Sequence, residues 1–77
     1  MDKVNLFENF ALFEERWSPK IVGELNGQYV KLAKLKGEFV WHDHQDEDEL
    51  FFVIKGSLTM RLPEREIVIG EGEFLIV

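Results

Sequence analysis

The sequence predicts an all-β domain over residues 1–77, a small sandwich or barrel with one amphipathic helix in front of it. Before Pro19 the apolar residues recur at helical spacing. After it, short apolar runs alternate with polar residues at period two, separated by turn residues at the roughly 8–12-residue spacing of sandwiches and barrels. No long-period repeat, linker or low-complexity tract divides the chain.

The helix is expected from Asn5 to Trp17, within an N-terminal segment 1–18. Leu6, Phe10, Phe13 and Trp17 form its stripe, Phe7 and Ala11 widen it, and Glu8, Glu14 and Glu15 lie beside it. Asn5 can cap the first turn, with Glu8 at the capping-box position, and Ser18 and Pro19 end the helix. So large an aromatic face on so short a helix is a packing surface, for a sheet or for a second subunit.

Strands fill residues 19–77. "KIVGEL" and "QYVKLAKL" flank Asn26-Gly27, the strongest short hairpin signal, because both turn residues must take positive φ. Val30 and Leu32 share a phase and Leu35 has the other, so a bulge near Ala33 would turn all three inward. "EFVWHDH", "ELFFVIK", "SLTMRL", "EIVI" and "EFLIV" follow, with Gly56, Pro63, Gly70 and Gly72 at the turns. Leu58, Met60 and Leu62 alternate with Ser57, Thr59 and Arg61, then Ile67 and Ile69 with Glu66 and Val68. In "ELFFVIK" both phases are apolar, which predicts a strand covered on both faces.

Composition narrows the function classes. A chain of 77 residues buries only about 60% of its unfolded surface, so its core is marginal and a metal or a partner subunit would support it. With no cysteine there is no disulfide, which suits a reducing, cytoplasmic setting. Asp2 and Glu8 stand where an export signal would be basic and then apolar, and Leu50 to Ile54 falls far short of the roughly 20 residues that span a bilayer. A net charge of −6 repels phosphate backbones and anionic lipid, so neither nucleic acid nor membrane is an expected partner. Lys31, Lys34 and Lys36 alternate with apolar residues and read as the solvent side of a strand.

The chemistry concentrates in "WHDHQDEDELFFV", which holds both histidines of the chain. On a strand, His42 and His44 leave the same face with Cα atoms about 7 Å apart, close enough for both imidazoles to meet one ion. They share the phase of Val40. If the chain turns back after Gln45, Glu49 can reach the same ion from the start of the next strand, where its phase is that of Phe51 and Val53. Two histidines and a carboxylate suit Fe(II), with Zn(II), Mn(II) and Ni(II) as chemical neighbours, and three ligands leave coordination positions open. The competing reading is a solvated acidic loop at Asp46 to Glu49 with two ordinary histidines.

Gly37, His42, His44, Glu49 and Gly56 follow one another in an order and spacing that resembles the first motif of the cupin superfamily. The six residues "LFFVIK" separate Glu49 from Gly56, and four residues, one fewer than the family's usual interval, separate Gly37 from His42. Gly72 with "EFLIV" is similar to the opening of the second motif, whose histidine would follow Val77. The resemblance covers about Pro19 to Val77 and implies a small single-domain jelly-roll β-barrel. It implies that His42, His44 and Glu49 point into the barrel at a divalent ion, beside a small-molecule ligand. Since an apolar strand ends the sequence, the barrel is expected to be incomplete or to be completed by a partner chain in a homodimer. Members of the superfamily include metal-dependent isomerases, epimerases and dioxygenases. A non-catalytic sugar or small-ligand module, and a dimerisation domain whose histidines bind nothing, stand as alternatives.

Overall fold

The computed structural model describes residues 1–40 and 48–77. These form one short helix, α1 (Leu6–Phe10), and seven strands: β1 (Lys20–Leu25), β2 (Gln28–Leu32), β3 (Glu38–Val40), β4 (Leu50–Phe52), β5 (Ser57–Arg61), β6 (Glu66–Gly70) and β7 (Phe74–Ile76). Two compact units divide them, residues 1–35 and 36–77.

In the first unit Asn5 caps α1 as its side chain predicts, with its Oδ1 accepting the Glu8 N–H at 3.0 Å. The helix then closes at Ala11 and does not continue to Trp17. The Leu12 N–H turns to the Asn9 carbonyl at 3.1 Å, and Lys34 holds the backbone that follows. In a continued helix the Trp17 N–H would donate to the Phe13 carbonyl. Here that N–H donates to the carbonyl of Lys34 at 2.8 Å, and the Phe13 carbonyl accepts from the Lys34 ammonium. One residue thus takes both ends of the bond that the helix needed. Trp17 itself sits at φ 61°, outside any helical path. An isolated helix of the expected length is marginal in water, so a few such contacts suffice to redirect it. The aromatic stripe still packs: the Phe10 and Phe13 rings lie 6.0 Å apart, and Lys34 and Lys20 stand 4.9 and 5.8 Å from the Phe13 centroid. Lys20 also bridges Glu15 at 3.1 Å.

β1 and β2 pair antiparallel through Asn26 and Gly27, whose φ values of 52° and 78° give the both-positive turn that the dipeptide predicts. The bulge falls in β1, between Ile21 and Gly23, and not near Ala33. Gly23 faces Val30 there, and a glycine accommodates the kink without a side chain to pack. Consequently Val30 is exposed, Leu35 is half-buried, and of the three expected inward residues Leu32 alone is buried.

The second unit holds a three-stranded sheet in the order β3-β5-β6 and a two-stranded sheet, β4-β7. β3 runs parallel to β5, with Phe39 opposite Met60 and Val40 opposite Arg61, while β5 and β6 form an antiparallel hairpin. Alternation here predicts burial well. Leu58, Met60 and Ile69 are buried, with Met60 at 0% exposure, and Val68 faces out. β4 and β7 pair antiparallel as Leu50 with Ile76, Phe51 with Leu75 and Phe52 with Phe74. β4 is not covered on both faces as its composition suggests. Phe51 is half-buried and Val53 buried, whereas Leu50 and Phe52 remain 58% and 50% exposed. With Phe74 and Ile76 they make an open apolar face on which the Phe52 and Phe74 rings stack, 6.4 Å apart and 11° from parallel. A two-stranded ladder packed on one side leaves its other side to solvent, however apolar its residues. Main-chain bonds at Val53 and two carboxylates tie the adjoining turns: Glu71 accepts from the Gly56 N–H at 2.8 Å and Glu73 from the Gly70 N–H at 2.7 Å.

Candidate functional site

Glu49 is the described member of the expected ligand set, and the ladder fixes its place. It lies immediately before β4, where its N–H donates to the Val77 carbonyl at 2.8 Å and its carbonyl accepts the Val77 N–H at 2.9 Å. These two bonds make Glu49 and Val77 a hydrogen-bonded pair that extends the β4-β7 register by one residue. Strand alternation places Glu49 on the side of Phe51 and Val53, which is the packed side. That removes a conflict in the sequence, where Leu50 and Phe52 compete for the inward position. Glu49 is also exposed, so its carboxylate is open to an incoming ion. A carboxylate anchored by its main chain and accessible at its tip fits a metal ligand.

Toward the histidines, β3 brings Phe39 against Phe51, with ring centroids 5.2 Å apart at 56°. Phe39 is therefore the packed residue of β3, and Val40, whose phase the histidines share in the sequence, is 54% exposed. His42 and His44 lie in residues 41–47, outside the described residues. Among the described residues, no three His, Cys, Asp or Glu side chains gather closely enough to hold a metal ion.

Two basic residues have internal roles that the sequence did not signal. Lys34, read as a solvent-facing lysine, is a half-buried clasp on Phe13 and Trp17. Arg61, beside a hollow lined by Val40, Leu62 and Pro63, engages Glu38 and Glu66 at 3.3 Å each. Val77 was also missed. Its contribution is made by the main chain, which residue type does not report; the cue was that Glu49 and Val77 stand in register when β4 and β7 are paired about the β5-β6 hairpin. No helix among the described residues is long and apolar enough to cross a membrane.

Comparison with known proteins agrees with this architecture. The cupin domain family matches residues 28–77. A Bacillus subtilis (strain 168) protein, "Uncharacterized protein YdbB", is 40% identical over 48 residues, covering 62% of this chain and 42% of that protein, so the match spans less than half of the relative's length. The crystal structure of a cupin-2 domain containing protein from Shewanella frigidimarina NCIMB 400 superposes with a TM-score of 0.90 at 39% identity, covering 96% of this chain and 72% of that one. Strand content, family match and a near-complete superposition converge, and the chain belongs to the cupin domain family.

Proposed function

We propose that this cupin-domain protein binds a divalent metal ion through His42, His44 and Glu49 and holds a small-molecule ligand beside it. The observation that carries the reading is Glu49: it has the residue type and spacing of the motif, sits on the packed phase of β4, is anchored at both main-chain groups and is open to solvent. The ligand types suit Fe(II), Zn(II), Mn(II) or Ni(II). Such an ion, when bound, supplies a Lewis acid with open coordination positions. The chain's part is to orient three donors, and to offer apolar strand residues that exclude water around a ligand.

Elemental analysis of protein purified without chelator tests this, with the parent chain compared against a His42→Ala/His44→Ala variant. Near-stoichiometric metal in the parent and at least a tenfold lower content in the variant is the expected outcome. Imidazoles ligate only when neutral, so metal content in the parent should also fall as pH drops through about 6.5, the ordinary histidine value. An empty parent, or a variant that keeps its metal, would remove the reading.

A further inference from the structure

We infer that the main chain of Val77 positions Glu49 for metal ligation, so that β7 belongs to the metal site although it contributes no ligand. The inference rests on the metal reading above and adds the element that holds the carboxylate in place.

Glu49 lies outside the three-residue strand that follows it, at the end where a ladder frays first. A metal ligand must be held to about 0.5 Å, and a side chain on a fraying end is not. What closes this end is the two-way bond with Val77, at 2.8 and 2.9 Å. In an antiparallel ladder such hydrogen-bonded pairs alternate with pairs whose N–H groups point away from the partner strand. Leu50 and Ile76 are the neighbouring pair, so the Ile76 N–H points away from β4 while the Val77 N–H points at Glu49. Ile76, the last residue of β7, and Val77 after it thus differ in one respect that a proline can read, since proline removes the N–H alone from the ladder.

The test titrates the metal-free protein with cobalt(II), read by its visible absorption, in the parent and in Val77→Pro, Ile76→Pro and Val77→Ala variants. The expected result is binding at least tenfold weaker in Val77→Pro, with Ile76→Pro and Val77→Ala within threefold of the parent. Parent-like affinity in Val77→Pro overturns the inference while leaving the metal reading intact, and so does an equal loss in Val77→Ala, which would assign the effect to the side chain. A parent that binds no cobalt overturns the metal reading and this inference with it. A second measurement needs no variant and so does not depend on Val77→Pro folding. If ligation requires the pair, zinc at about 100 times its dissociation constant should slow exchange of the Val77 amide by up to about a hundredfold, by linkage. An unchanged exchange rate at Val77, with zinc bound, overturns the inference independently.

Discussion

In residues 36–77 the alternation of apolar side chains decides what is buried, whereas in residues 1–35 a few polar groups that bond to the main chain decide where the backbone goes. β5 and β6 place Leu58, Met60 and Ile69 inside because each stands two residues, or one cross-strand step, from the next. The N-terminal segment has an equally regular apolar stripe, yet its helix ends at Ala11, and beyond it Lys34 takes the Phe13 carbonyl and the Trp17 N–H that a longer helix would join to each other. Periodicity is therefore decisive where an element has a partner along its whole length, and weak where one competing side chain can interrupt it.

This contrast can be broken by substitution. The largest effect belongs to the second unit: Met60→Ala, at a fully buried position, should destabilise by about 2–5 kcal/mol in urea unfolding. A loss under about 1 kcal/mol would show that alternation does not mark the centre of packing there. Next comes the clasp. Lys34→Met keeps the aliphatic stem and removes the ammonium, a charged hydrogen bond on a half-buried residue, and should lower stability by about 1 kcal/mol. Its sharper signature is local, namely faster amide exchange at Trp17 with the hairpin amides of β1 and β2 unaffected. Uniform acceleration across residues 1–35 would mean that Lys34 acts through general packing. The smallest effect is expected at Arg61→Ala, which removes two bridges at 3.3 Å between half-exposed groups and should shift stability by no more than about 0.5 kcal/mol.

Much of the fold was legible, for reasons the same residues explain. Asn26-Gly27 announces its turn because the required φ values exclude most other residues. Leu58, Met60 and Ile69 declare their side by alternating with polar neighbours. In β4 that cue is missing, since Leu50, Phe51, Phe52 and Val53 are all apolar, and the structure alone shows the Phe51 and Val53 side packed. The bulge was misplaced because residue phase shows that an extra residue is needed but not which arm carries it; Gly23 was the cheaper arm. Of the candidate site, motif spacing singles out Glu49 as a proposed ligand. Its anchoring by Val77 was not legible, because a main-chain bond leaves no mark on residue type.

The order of strands in the second unit has a kinetic consequence. The β5-β6 hairpin is closed by a short turn in which the Leu62 N–H meets the Arg65 carbonyl at 2.8 Å, and it lies in the sequence wholly between β4 and β7. Joining β4 to β7 first would close a long, floppy loop; once the hairpin exists, the ends of that loop are already near one another and the entropy lost on closure is smaller. Loop entropy therefore favours forming the hairpin before the outer ladder, whose far end is the Glu49-Val77 pair. A metal captured there would act as a late fastener on that outer ladder.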